Sequence, residues 1–169
     1  MSDTAVKVVA YDPDWPRQFE RERAVLEQLL APWLDGGIHH IGSTSVRGLA
    51  AKPLIDMMAG VRELDAARAA FEPLLEHGYV HEPHRPGIAH HFAKPHYSLH
   101  LTEPGSDLWR ERLAFRDALR RDRALADEYA ALKLRLAREY ADDPAAYTPG
   151  KRAFVGRVLA EAGLTFGRR

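Results

Sequence analysis

The sequence predicts a single α+β domain over residues 1–169: a mixed sheet of about four to six strands, flanking helices and a helical bundle at the C-terminal end. Three observations predict it. Up to Thr102, short apolar runs alternate with Gly, Pro and Asp breaks, as strands and turns do. From Ser106 onward the apolar residues recur at every third or fourth position, as on helices. No internal repeat, low-complexity tract or long linker divides the chain, and 169 residues suit one core.

Val6 to Tyr11 reads as a short apolar strand, ended by Asp12-Pro13-Asp14. Asp14 is placed to cap a helix, with Pro16 tolerated in its first turn. Phe19, Leu26, Leu29, Leu30 and Trp33 keep helical spacing, and Pro32 with Asp35-Gly36-Gly37 stops that helix. A strand over Ile38–Ile41 breaks at Gly42-Ser43 into a hydroxyl-rich turn. Lys52-Pro53 then lead into a second apolar run, Leu54 to Val61, with Asp56 set inside it. Asp65 is placed to cap a helix carrying Ala67, Phe71, Leu74 and Leu75. Strand signals resume at Tyr79-Val80, and the Pro- and Gly-rich stretch from His81 to Gly87 reads as a loop.

Ile88–Phe92 and His96–Leu101 predict a hairpin around Ala93-Lys94-Pro95. Its alternation puts His91, His96, Ser98 and His100 on one face and Phe92, Tyr97, Leu99 and Leu101 on the other. Ser106 or Asp107 caps a helix with Leu113, Phe115 and Leu119 as its stripe. A second helix carries Leu125, Tyr129, Leu132, Leu136 and Tyr140. Thr148 before Pro149 signals the last helix, which carries Phe154, Val155, Val158 and Leu159 and stops at Gly163.

Composition excludes several classes of function. Lys plus Arg equals Asp plus Glu at 24 each, which argues against a nucleic-acid coat or a polybasic membrane anchor. No apolar run approaches the length of a membrane span, and the first residues lack the pattern of a signal peptide. With no cysteine there is no disulfide or thiolate metal site, and a cytoplasmic location is expected. The charge is uneven: residues 1–105 hold 10 basic and 14 acidic side chains, residues 106–169 the reverse. The C-terminal helices therefore have positive charge to offer an anionic ligand.

Asp56 is the first chemical signal. A carboxylate inside an apolar strand is costly unless a metal, a cationic ligand group or a basic side chain pairs with it. The Gly42-Ser43 turn is the second, because glycine followed by hydroxyls can aim backbone N–H groups at an anion. Together they suggest a phosphate on one side and a cation on the other.

The run from His40 to Gly60, HIGSTSVRGLAAKPLIDMMAG, resembles the GrpB-like family, members of which also occur fused to dephospho-CoA kinases. The likeness extends to Tyr11, Trp15-Pro16, Gly78-Tyr79, Leu99-His100-Leu101, Phe115-Arg116-Asp117, Leu119-Arg120, Tyr129, Leu132-Lys133, Tyr147 and Lys151. That family looks like a compact branch of the nucleotidyltransferase superfamily, so the resemblance implies a nucleotidyltransferase-like sheet. It also implies a nucleoside triphosphate, or another phosphorylated small molecule, as partner, bound with Mg²⁺. Gly42 and Ser43 would hold phosphates, with Thr44 or Ser45 adding a hydroxyl, and Asp56 would bind the metal. Lys52 would neutralise phosphate or pair with Asp56. Arg116 and Lys151, and likewise Lys133, would supply charge-assisted bonds from the helices or pin helix to helix. His100 would act as a general base or as a further ligand.

The chain departs from the pattern at three places. Met58 stands where a second strand carboxylate is usual, Ser98 where the family has His, and Arg47 where it has Pro. His100, Glu82 and Glu103 are candidates for the missing ligand. Three functions stay open: nucleotidyl transfer to an acceptor, a non-catalytic module for a nucleotide or CoA-related anion, and a structural partner with an exposed apolar patch.

Overall fold

The computed structural model describes residues 7–164. Helix α1 (Trp15–Leu30) is followed by strand β1 (Leu34–Ile41), a short 3-10 turn (Ser43–Ser45) and strand β2 (Ile55–Val61). A 3-10 segment (Ala66–Ala70) enters α2 (Phe71–Glu76). Then come β3 (Val80–His81), β4 (Ala89–Lys94) and β5 (Tyr97–Thr102), and finally α3 (Asp107–Arg121), α4 (Arg123–Glu139) and α5 (Arg152–Glu161). The strands form one five-stranded sheet in the order β1-β2-β5-β4-β3. β2 and β5 run parallel and all other neighbours antiparallel, so the α+β class and the mixed sheet are as the sequence predicts.

Strand alternation decides what each face meets. Met57, Ala59 and Val61 of β2 and Leu99 and Leu101 of β5 turn to one face. There they bury against Trp15, Phe19, Leu26 and Leu30 of α1 and Leu74 of α2. Each fully buried large apolar side chain contributes about 1.5–3 kcal/mol. The other face carries Asp56 and Met58 of β2 with Ser98, His100 and Thr102 of β5. Met58 is wholly buried among Ile41, Ala89 and Leu108, which seats α3 on this face. A third cluster joins Val46 and Leu49, just past the Gly42 turn, to Leu119, Ala126, Tyr129, Phe154 and Val158. It holds all three C-terminal helices over the end of β2 that carries Asp56.

Several expectations change in detail. Val6 lies outside the described residues, and of the first strand there is one bridge, Val9 to Ala51. Asp14, Asp65 and Thr148 make no side-chain cap. Each already has helical backbone angles, whereas a capping residue must be extended to reach back over the first free N–H groups. Asp14 accepts from Gln18 Nε2 at 3.0 Å instead. Ser106, with ψ at 163°, is extended and does cap, accepting from the Trp109 N–H. β1 begins earlier than the glycines suggest: Gly36 and Gly37, both at positive φ, form an irregularity between Leu34 and Ile38 rather than an end. The hairpin is tighter than expected, with Lys94 opposite Tyr97, so His96 lies in the turn and leaves the face shared by His91, Ser98 and His100. Leu75 is half exposed rather than part of the α2 stripe. No helix among the described residues is long and apolar enough to cross a membrane.

Candidate anion-binding site

The site starts where β1 ends. Ile41 pairs with Asp56 across the sheet, and the next residue, Gly42, turns the chain at φ 73° and ψ −176°. Residues with a side chain avoid that conformation. A Cβ at this position would also sit 3.1 Å from Asp56 Cβ and 3.2 Å from Asp56 Oδ2. Gly42 therefore lets the turn lie directly against the carboxylate. The turn is then pinned from within. Thr44 Oγ1 donates to the Leu54 carbonyl at 2.8 Å, and His40 Nε2, at 2.9 Å, donates to that same hydroxyl. Ser45 Oγ donates to the Gly42 carbonyl at 2.5 Å. Thr44 and Ser45 thus hold the turn, while Ser43 is half-buried with its side chain beside the Tyr129 hydroxyl.

Asp56 faces a polar row laid across β5 and β4. His100 Nε2 lies 3.3 Å from Asp56 Oδ1, and the His91 ring stacks on His100 at 4.6 Å. His91 Nε2 meets Ser98 Oγ at 2.8 Å, and its Nδ1 is 3.9 Å from Glu82. Burial penalises the Asp56 carboxylate, but His100, then Arg112 and His91, hold its pKa below the ordinary range. The His100 contact is not aligned as a hydrogen bond. Asp56 Oδ1 and Arg112 Nε are the two buried side-chain polar atoms left without a hydrogen-bond partner among the described residues. An unmet acceptor and an unmet donor in the same cluster call for a further group, a water or a ligand, to satisfy them.

The remaining groups are cations and rings. Lys133 of α4 is 2% exposed; its Nζ donates to the Ala50 carbonyl at 2.5 Å and lies 4.9 Å from the centre of the Tyr129 ring. Lys52 and Lys151 both lie on the Tyr147 ring, at 5.0 and 4.8 Å. Burial, with Lys52 and Arg112 nearby, draws Lys151 down to about 8 against the opposing pull of Asp56. Burial and the charges of Lys151 and Lys52 bring Lys133 down to about 7. Both values lie below the 10.5 of a free lysine, so at pH values between them the unfolded chain binds more protons. Stability then rises with pH across that window and falls as the buried lysines are forced to charge. The thermal midpoint of the ligand-free protein is expected to climb from pH 7 towards pH 10, and Lys133→Met to flatten that climb, in scanning calorimetry.

Gly42, Ser43, Lys52, Asp56, His100 and Lys151 come together as the sequence suggests. Arg116 does not join them. It donates from Nη1 to the outward-facing His40 carbonyl at 3.2 Å and from Nε to Asp117 at 2.9 Å, closing the free edge of β1. Arg112, one turn earlier on α3, takes the place expected of it. Arg112 and the ring pair Tyr129 and Tyr147 were missed as site groups. Arg47 is exposed, away from the cluster's buried floor. Among candidates for the missing ligand, Glu103 is spent on the Leu64 N–H at 3.0 Å, and Glu82 reaches only His91. Among the described residues no three His, Asp or Glu side chains converge, and Mg²⁺ held by a single carboxylate would take its other ligands from water and substrate phosphate. Asp56 and His100 offer two donors, Met58 offers a buried thioether, and the neighbouring lysines and Arg112 already neutralise one carboxylate. This donor set does not fit a resident Mg²⁺.

The comparisons agree with this architecture. The family model described as GrpB protein matches residues 5–161. The chain belongs to the GrpB family. It is 34% identical over 168 residues to the glutamate-rich protein GrpB of Alkalihalophilus pseudofirmus, covering 92% of this chain and 95% of that one. The crystal structure of conserved protein GrpB from Enterococcus faecalis superposes with a TM-score of 0.84 at 31% identity, over 92% of this chain and 96% of that one. A shorter match, 36% identical over 95 residues, is to a dephospho-CoA kinase of Mycolicibacterium paratuberculosis, covering 53% of this chain and 22% of the kinase.

Proposed function

We propose that the cluster binds a nucleotide or another small phosphorylated molecule, with its phosphates met by side chains rather than by a resident metal. Arg112, Lys52 and Lys151 face the phosphate oxygens, and the Gly42-Ser43 turn approaches them closely. Asp56 receives a hydroxyl or amino hydrogen of the same ligand. The observation that supports this reading is the orphaned pair, Arg112 Nε and Asp56 Oδ1. A phosphate ester carrying a hydroxyl satisfies both at once, and each is costly to leave unmade. Calorimetric titration of ATP, GTP, CTP, UTP and pyrophosphate, each with and without Mg²⁺, tests it. Micromolar binding that persists without Mg²⁺ is expected; absence of binding to every one of them would overturn the reading.

The place of His100, with Nε2 3.3 Å from Asp56 Oδ1, supports a second reading, nucleotidyl transfer, in which His100 takes the proton of an acceptor hydroxyl as it attacks the α-phosphorus and pyrophosphate leaves. Release of pyrophosphate from a bound triphosphate, lost in His100→Ala, is the result this reading predicts.

A further inference from the structure

On the other side of the Gly42 turn lies a second cleft, about 370 Å³ in volume, between α1, the free edge of β1 and α3. Sites for small molecules span roughly 300–1,000 Å³. Its floor is Phe19, Ile38 and the His40 ring, which stacks on Phe19 at 4.8 Å. Its polar end is Ser45, Arg116 and Arg120. This cleft shares only the turn-holding residues His40 and Ser45 with the site described above.

The charges in it can be counted. Arg23, at the rim, is paired with Glu20 and Glu27 at 2.5 and 3.1 Å. Arg116 is paired with Asp117 at 2.9 Å. Burial, followed by the nearby charge of Arg120, draws His40 down to about 4, so its ring is neutral, with its Nε2–H already given to Thr44. Of the three arginines, Arg120 alone makes no ion pair among the described residues. Its Nε donates to the Ser45 carbonyl at 3.0 Å, which fixes the guanidinium plane, and its two terminal nitrogens have no partner among the described residues. Asp117, the carboxylate that acts on it, is held by Arg116.

We infer that this cleft binds an organic monocarboxylate with an apolar body, its carboxylate forked onto the terminal nitrogens of Arg120 and its body lying on Phe19, Ile38 and the His40 ring. A guanidinium held in a fixed plane, with both terminal nitrogens open, matches one carboxylate in a bidentate pair. The neutral, stacked floor suits a flat or aliphatic body better than a second charged group. The inference goes beyond the phosphate site and does not depend on it.

Titration of the ¹⁵N-labelled protein with benzoate, read by heteronuclear NMR, tests it, with benzyl alcohol and phenyl phosphate as probes of charge. Benzoate is expected to saturate shifts at His39, His40, Ser45 and the Arg120 side chain. Benzyl alcohol is expected to give none there, and phenyl phosphate to bind less tightly than benzoate. Arg120→Gln, which keeps a donor for the Ser45 carbonyl, is expected to weaken benzoate at least tenfold while the spectrum stays dispersed. If that variant loses its fold, Arg120→Lys keeps the charge without the fork and is expected to weaken benzoate by a similar factor. Arg112→Met should leave benzoate binding unchanged. Benzoate shifts that are absent from the cleft, or equal in wild type and the Arg120 variants, would overturn the inference.

Discussion

Arg112→Met is expected to weaken nucleotide binding about 10- to 100-fold with little change in stability. The guanidinium Nε is buried with no partner in the free protein. Removing it relieves a desolvation penalty in the fold, takes away one of the cations that hold Asp56 ionised, and deletes a charge-assisted bond in the complex. Such a bond is worth roughly 1.5–3 kcal/mol, and each 1.4 kcal/mol is tenfold in affinity. Methionine keeps much of the side chain's apolar length against its neighbours. The expected pair of results is therefore a weaker calorimetric affinity for ATP and a nearly unchanged thermal midpoint. A residue present only to hold the fold would give the opposite pair, and that outcome would remove Arg112 from the site.

Glu22→Ala is expected to destabilise the domain by about 3–5 kcal/mol, the usual loss when one partner of a buried ion pair is deleted. Glu22 lies on α1 with its carboxylate turned into the core. Oε1 accepts from the Tyr79 hydroxyl at 2.7 Å and forms an ion pair with Lys94 Nζ at 2.6 Å, with His77 Nε2 at 3.6 Å. Lys94 also sits over the Tyr79 and Tyr97 rings at 4.7 and 5.0 Å. Alanine would leave that ammonium and the Tyr79 hydroxyl without their acceptor. Urea unfolding should show a lower midpoint with an unchanged slope. Glu22→Gln, which keeps an acceptor for Tyr79, should lose less. This network ties α1 to the β3–β4 end of the sheet, so nucleotide affinity per folded molecule should stay the same in both variants.

Much of the site was legible because its signals are local. Gly42-Ser43 interrupts an apolar strand, and Asp56 interrupts another. Both breaks sit in one short segment, and the pairing of Ile41 with Asp56 brings them together. Lys52 and His100 were legible by their closeness to those breaks and by their motif positions. Arg112 was not, because nothing local separates it from the other arginines of α3. Arg112 and Arg116 stand one turn apart on nearly the same helix face. Where α3 crosses the sheet decides which of them meets Asp56 and which meets the edge carbonyl of His40. That crossing is set by the packing of Leu108 on Met58 and of Leu119 among α4 and α5.

The same division holds for the fold. The β4–β5 hairpin and the stripes of α1 and α4 follow from periods of two and of 3.6 residues. The parallel pairing of β2 with β5 does not, because it joins segments separated by α2 and a hairpin strand. It is nonetheless what sets His100 diagonal to Asp56. The caps at Asp14, Asp65 and Thr148 failed for a backbone reason that no side chain announces: each residue is already helical.

Crystals of the protein soaked with ATP, with and without Mg²⁺, give the most direct measurement. A phosphate oxygen is expected within about 3.2 Å of Arg112 Nε, and a ligand donor at a similar distance from Asp56 Oδ1, in both soaks. Phosphates held only when Mg²⁺ is present, or a nucleotide bound away from Arg112 and Asp56, would contradict the proposed site.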